Sequence, residues 1–93
     1  MAIKSEICWN RKDDEGEKLE VYARRFGGEW QFHSRRRRNE IWQPIPKPSL
    51  EDWLELADAI RRRIPRRLYP PIELDRVVQE IRQRFPDFRG LED

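Results

Sequence analysis

The chain is poor in the residues that usually carry chemistry, with one cysteine, one histidine and four glycines among its 93 residues. A single cysteine excludes an intramolecular disulfide and a structural zinc site built on cysteines. No segment approaches the ~20 apolar residues of a membrane-spanning helix, and no apolar run indicates a signal peptide. We therefore expect a cytoplasmic protein that makes no membrane contact.

Catalytic chemistry is not expected either. His33 and Cys8 could form only a bare dyad, because no third residue is evident that would orient the base. The glycine motifs that bind phosphate are absent, and the carboxylates lack the spacing of a metal-binding loop. The sequence predicts no enzyme, no catalytic residue, no cofactor and no metal ligand.

Charge and aromatic residues are plentiful instead. The chain has 20 basic and 18 acidic residues, for a net charge of +2, and its mean hydropathy is −1.06. Four Trp, four Phe and two Tyr argue against disorder, since each buried ring removes roughly 150–250 Å² from water. We expect one small domain with a thin core and a heavily charged surface.

Before the proline-rich segment, apolar residues alternate with a period of two, which predicts strands. In a first strand, Ile3, Ile7 and Trp9 lie on one side. Lys4, Glu6 and Cys8 lie on the other. A second strand covers residues 19–26 and a third covers residues 29–35. Gly27 and Gly28 suit the two-residue turn between them. The resulting register pairs Arg25 with Trp30, Ala23 with Phe32 and Tyr22 with His33, and a short fourth strand is expected at residues 39–43.

After the prolines the pattern becomes helical. Ser49 followed by Asp52 resembles a capping box, with Asp in place of the usual Glu or Gln. Pro65 ends the first helix, Pro71 lies in the first turn of the second, and Pro86 ends that one. The apolar stripe of the first helix is Leu50, Trp53, Leu54, Ala57, Ile60 and Ile64. The stripe of the second is Leu74, Val77, Val78, Ile81 and Phe85.

These elements predict an α+β fold, in which a small antiparallel β-meander of three or four strands is followed by two helices packed on one sheet face. The expected boundaries are a single domain at 1–93, with a meander at 1–43, a proline linker at 44–48, helices at 49–64 and 71–85, and a tail at 87–93. The proline segment could instead be a polyproline motif for a partner, but a stiff linker is the more common use at such a junction. The expected core is Val21, Trp30, Phe32, Trp53, Leu54, Ala57, Ile60, Val77, Val78 and Ile81.

A three-stranded meander followed by a helix, over about residues 19–63, resembles the DNA-binding domains of tyrosine recombinases and of plant AP2 factors in the order of its elements. The proline segment at 44–48 departs from the tight joint between strand and helix in those domains. The resemblance implies a DNA-binding fold and assigns no residue a role.

Two clusters of arginine dominate the charge pattern. The first arginine run is Arg35, Arg36, Arg37 and Arg38, and the second is Arg61, Arg62, Arg63, Arg66 and Arg67. Placed at a turn, the first run cannot be buried and its charges repel one another, so phosphates would relieve the repulsion. A solvated loop is the plain alternative. In this interpretation the arginines of the first run do not stabilise the fold.

The second run has a stronger structural explanation. It lies at the end of a helix that begins with acidic residues, and so complements the helix dipole. Asp58 is also four residues before Arg62, which is a spacing that favours an ion pair.

One face of the predicted sheet carries Tyr22, Arg24, Gln31 and His33, and it extends toward Arg35. Aromatic rings mixed with arginine could bind nucleic acid through stacking and phosphate contact. A solvated face of an antiparallel sheet is the plainer alternative.

The sequence therefore favours a small non-enzymatic binding module. The first hypothesis is nucleic-acid contact through the first arginine run, Arg24, Tyr22 and His33, with the second run as a secondary basic patch. The alternative is a protein-binding adaptor or inhibitor, or a homodimer, that uses segregated acidic and basic surfaces.

Overall fold

The computed structural model describes residues 6–26 and 28–90. Four strands come first: β1 (Glu6–Lys12), β2 (Lys18–Phe26), β3 (Glu29–Arg35) and β4 (Gln43–Ile45). Two helices follow, α1 (Leu50–Arg63) and α2 (Pro71–Arg84). The strands form one antiparallel sheet in the order β1-β2-β3-β4. The predicted α+β fold, a meander followed by two helices, is confirmed.

The chain divides into two compact units, a sheet unit (Met1–Pro48) and a helical unit (Ser49–Asp93). The predicted division into meander, linker, helices and tail within a single domain stays a prediction, as does packing of both helices on one sheet face. Residues 3, 4 and 27, which the predicted strands and turn include, and residues 91–93 of the predicted tail lie outside the described residues.

The β2–β3 hairpin has the predicted register. Arg25 pairs with Trp30, Ala23 with Phe32, and Tyr22 with His33. Gly28 has a φ of +85°, a left-handed conformation that favours glycine and that a two-residue hairpin turn requires. Because one residue of slip would exchange the two faces, the alternation of apolar and polar residues fixes this register.

The fourth strand is not at residues 39–43, as predicted, but at Gln43–Ile45, inside the segment predicted to be a linker. It pairs with β3 through Phe32–Ile45, His33–Pro44 and Ser34–Gln43. Pro44 has no N–H to donate, and the sheet tolerates it because β4 is an edge strand. Pairing at this register places Ile45 beside Phe32. This apolar contact favours a strand at residues 43–45 over one at residues 39–43.

One face of the sheet is apolar. It carries Ile7, Val21, Ala23 and Phe32, each at most 2% exposed. Trp9 contacts Phe32 edge to face, with ring centroids 6.0 Å apart. The opposite face, called the polar face below, carries the alternate residues of β2 and β3.

Helix α1 begins as predicted. The Ser49 hydroxyl accepts a hydrogen bond from the backbone N–H of Asp52 at 3.2 Å. Asp52 is itself fully buried. It therefore does not contribute to an exposed acidic surface. Helix α2 begins at Pro71, whose missing N–H costs nothing in the first turn, and Pro70 provides no side-chain cap.

The predicted core is correct in most positions. Trp30, Leu54 and Val78 are half-buried rather than buried. The buried face of α1 is centred on Trp53, Leu56 and Ile60. Leu56 lies three residues after Trp53 and four before Ile60, so all three side chains share one face of the helix. Apolar residues that the prediction left out but that are buried are Ile7, Ala23, Leu56, Ala59 and Tyr69.

Candidate nucleic-acid interface

The polar face is built by strand register. Along β2, Glu20, Tyr22 and Arg24 alternate with the buried residues of the apolar face. Their partners on β3 are Arg35, His33 and Gln31, respectively. The predicted set of Tyr22, Arg24, Gln31 and His33 is thus on one surface, and Arg35 extends it toward the end of β3.

Three aromatic side chains contact one another on this face. Tyr22 stacks on His33 with ring centroids 4.8 Å apart and an angle of 12° between the planes. Tyr22 also meets Trp42 edge to face at 4.6 Å. We call Tyr22, His33 and Trp42 the aromatic cluster; all three are half-buried.

Trp42 was predicted to lie in the fourth strand at residues 39–43 and was not connected with the polar face. The only hint in the sequence that Trp42 lies near His33 is its position two residues before Pro44, because Pro44 pairs with His33. Without the register of β4, nothing in the sequence links Trp42 to Tyr22.

Arg35 is held by three groups of the sheet unit. Its guanidinium lies 4.3 Å from the centre of the Trp42 ring. It also donates to the backbone oxygen of Arg38 at 3.0 Å and to Glu20 Oε2 at 3.4 Å. Its side chain is 21% exposed. The expectation that the first run has no structural role is therefore wrong for Arg35.

Arg36 also has an internal partner. Its Nη2 lies 3.3 Å from Asp13 Oδ2. The other oxygen of Asp13 accepts backbone hydrogen bonds from Glu15 and Glu17 in the β1–β2 turn, at 2.9 and 3.0 Å. This turn residue therefore ties the first run to the β1–β2 connection, although Arg36 remains exposed.

Arg37 and Arg38 differ from their neighbours. Both are exposed, and neither side chain has an ion pair or hydrogen bond with another residue of the described ranges. Of the first run, these two carry the positive charge that is available to a partner.

The remaining predicted residue of this face, Arg24, lies over the Phe26 ring at 5.6 Å from its centre. Phe26 is 59% exposed. On the same face, Cys8 pairs with Tyr22, so Tyr22 lies between Cys8 and His33.

The second arginine run belongs to the helical unit. The predicted ion pair between Arg62 and Asp58 is present at 3.4 Å. Arg63 donates to the backbone oxygen of Ala59 at 3.0 Å, which satisfies one carbonyl of the last helical turn. Arg61, Arg66 and Arg67 are exposed.

Tyr69, just after this run, is buried. Burial raises the pKa of its hydroxyl above the usual value; Arg63 lowers it and Glu73 raises it further. The hydroxyl is therefore neutral at physiological pH. Glu73 is buried as well, and its carboxylate lies 3.4 Å from the guanidinium of Arg76.

No family model, curated protein or solved structure matches the chain. Among the residues that the structure describes, no helix is long and apolar enough to span a membrane. The same residues contain no group of three or more His, Cys, Asp or Glu side chains placed to hold a metal ion.

Proposed function

We propose that the chain is a small non-enzymatic binding module that contacts single-stranded nucleic acid through the polar face and the adjoining β3–β4 connection. The observation that carries the proposal is that Arg35 joins the aromatic cluster to the exposed arginines that follow it. Its guanidinium lies over the Trp42 ring and donates to the backbone oxygen of Arg38, and both Arg37 and Arg38 are exposed. The proposal requires only the sheet unit.

Single-stranded nucleic acid offers two kinds of group to a protein, phosphates and the faces of unpaired bases. Arginine neutralises the phosphates, and each neutralised phosphate releases counterions. Aromatic rings stack on bases irrespective of base identity, and each stacked base contributes about 1–3 kcal/mol to the binding free energy. A surface that combines both without an array of base-reading donors favours binding with little sequence preference.

In this proposal the members of the first run have different roles. Arg35 and Arg36 are positioning residues, because Trp42, Glu20 and Asp13 already hold their guanidiniums. Arg37 and Arg38 contact phosphate. Trp42 and His33 present partly exposed ring edges and faces to bases.

The test is the affinity of the whole chain for a fluorescent single-stranded oligonucleotide, measured by anisotropy at several salt concentrations. Changing Arg37→Gln and Arg38→Gln together should abolish most binding. It should also reduce the slope of log affinity against log salt by about 0.7 for each lost phosphate contact. The control is Arg61→Gln with Arg82→Gln, which removes the same charge from exposed helical positions.

Equal losses in the test and control variants would mean that net charge, rather than this site, attracts the oligonucleotide. Absence of any binding at low salt would reject the proposal outright.

A protein partner is the second candidate function, and Ile41 favours it. This residue is 82% exposed and directly precedes Trp42. An exposed aliphatic side chain next to tryptophan and arginine has the composition of a protein interface. Ile41→Ser should weaken binding to a protein partner found by co-purification after nuclease treatment, and should leave oligonucleotide affinity unchanged. If no protein survives nuclease treatment on the column, this candidate is rejected.

A further inference from the structure

The end of α1 and the connection that follows it border a cavity of about 340 Å³ that is open to solvent and lined by Arg62, Arg63, Arg66 and Leu68. We propose that this cavity binds the phosphate groups of a small phosphorylated molecule. The inference concerns the helical unit alone and is independent of the function proposed for the sheet unit.

The positive charge of the cavity is only partly offset by its surroundings, through the Asp58 carboxylate and the negative end of the α1 dipole. Arg62 pairs with Asp58, but this contact is long, at 3.4 Å, and both side chains are more than half exposed. Arg66 has no side-chain partner among the residues described. Three guanidiniums around one opening repel one another, so a bound anion of more than one charge stabilises their arrangement.

One of the three guanidiniums is held in place before any ligand binds. Arg63 is half-buried and donates through Nη1 to the backbone oxygen of Ala59, which leaves its other N–H groups for a second acceptor. A guanidinium fixed in this way loses little conformational freedom when it binds a ligand. Pre-organisation of this kind favours a defined site over diffuse attraction.

The backbone that shapes the cavity has an unusual conformation. Arg67 has a φ of +59°, a left-handed value that is strained for a residue other than glycine. Two backbone hydrogen bonds hold the turn. The Arg67 N–H donates to the backbone oxygen of Ile64 at 2.9 Å, and the Leu68 N–H donates to the backbone oxygen of Arg63 at 3.1 Å. The turn therefore fixes Leu68 next to the arginines, where it lines the cavity.

The lining indicates the class of ligand. A guanidinium binds phosphate with two parallel hydrogen bonds. Three guanidiniums therefore suit a diphosphate, which has several oxygens, better than they suit a ligand with a single carboxylate. The volume lies at the lower end of the range for small-molecule sites, about 300–1,000 Å³, so orthophosphate alone would fill only part of it. Leu68, 48% exposed, offers an apolar contact to the organic part of the ligand.

The experiment uses the whole chain and two probes, inorganic pyrophosphate and adenosine diphosphate, titrated by calorimetry and followed by NMR of the backbone amides. Arg66→Gln should weaken binding about fivefold to tenfold, as expected for one lost charge-assisted contact. Arg61→Gln is the matched control, because it removes the same charge one residue before Arg62 without lining the cavity. This control should change affinity less than twofold.

Amide shifts confined to residues 62–69 for either probe, together with the loss in Arg66→Gln, support the site. Adenosine diphosphate binding more tightly than pyrophosphate indicates that the organic part is bound too, while the reverse order indicates a site for the phosphates alone. Failure of both probes to bind, or equal weakening in the two variants, overturns the proposal. Circular dichroism melts of both variants check that neither has unfolded.

Discussion

The two arginine runs look alike in the sequence and differ in how the fold holds them. In the sheet unit, Arg35 and Arg36 reach partners from other strands and turns: Trp42, Glu20 and Asp13. In the helical unit, Arg62 and Arg63 contact groups one helical turn earlier, Asp58 and Ala59. The first run is held by tertiary contacts and the second by local ones.

This difference separates charge that stabilises the fold from charge that is available to a partner. Within the first run, ion pairs and hydrogen bonds of the side chains with other described residues end after Arg36, so the side chains of Arg37 and Arg38 are available for binding. Within the second run, Arg66 is the cavity residue whose side chain has no partner among the described residues. A run of identical residues is therefore not one site, and substitutions should be tested one or two at a time.

The largest effect should come from the residue that anchors the helix carrying the second run. Trp53 is 2% exposed, and the Arg84 guanidinium lies 5.1 Å from the centre of its ring. Trp53→Ala should lower the free energy of unfolding by about 3–5 kcal/mol, as for other buried aromatics. In so small a protein this loss could abolish folding. Thermal and urea melts measure it, with Trp42→Ala, a half-buried ring, as the milder comparison.

If Trp53→Ala melted at the same temperature as the unchanged protein, the burial of this face of α1 would be incorrect. A larger loss for Trp42→Ala would show that the aromatic cluster, rather than the helical unit, limits stability.

The next effect separates the two runs directly. Arg35→Gln removes a cation–π contact with Trp42 and an ion pair with Glu20, both partly shielded from water. We expect a loss of about 1–2 kcal/mol. The matched change in the second run, Arg61→Gln, should cost much less, since Arg61 is exposed. Urea unfolding of both variants decides this, and an Arg35→Gln protein as stable as Arg61→Gln would contradict the tertiary role of Arg35.

The same contrast explains what the sequence could and could not predict. The β2–β3 register and the Arg62–Asp58 pair follow from fixed local spacing, a two-residue turn in one case and a helical turn in the other. Strand β4 was misplaced because its pairing depends on Phe32 and Ile45 meeting across the sheet, and its proline suggested a linker instead.

The candidate sites show the same limit. The contact of Trp42 with Tyr22 requires the register of β2, β3 and β4 together, so no local pattern reveals it. The cavity in the helical unit depends on the left-handed conformation of Arg67, which residue preferences argue against. In both cases the residue types were visible in the sequence, and their juxtaposition was not.

A smaller effect tests the local contacts of the second run. Arg62→Gln breaks the pair with Asp58, in which the two side chains are 65% and 54% exposed. Exposed pairs at this helical spacing contribute only about 0.2–0.5 kcal/mol, and salt screens them. The loss should therefore be measurable at low salt and should vanish at high salt. A loss of stability that persisted at high salt would contradict this interpretation, because it would require a contact of Arg62 that is shielded from water.

The smallest effect on stability is expected where the effect on binding is largest. Arg37→Gln with Arg38→Gln removes two exposed, adjacent charges that have no side-chain partner within the described ranges. Their loss relieves repulsion with Arg35 and Arg36, so stability should stay within about 0.5 kcal/mol of the unchanged protein or rise slightly at low salt. Melts at low and high salt, run beside the oligonucleotide titration of the same variant, measure both properties on one sample. If this double variant were clearly less stable than the unchanged protein, Arg37 and Arg38 would be structural like their neighbours, and the charge attributed to a nucleic-acid partner would already be used by the fold.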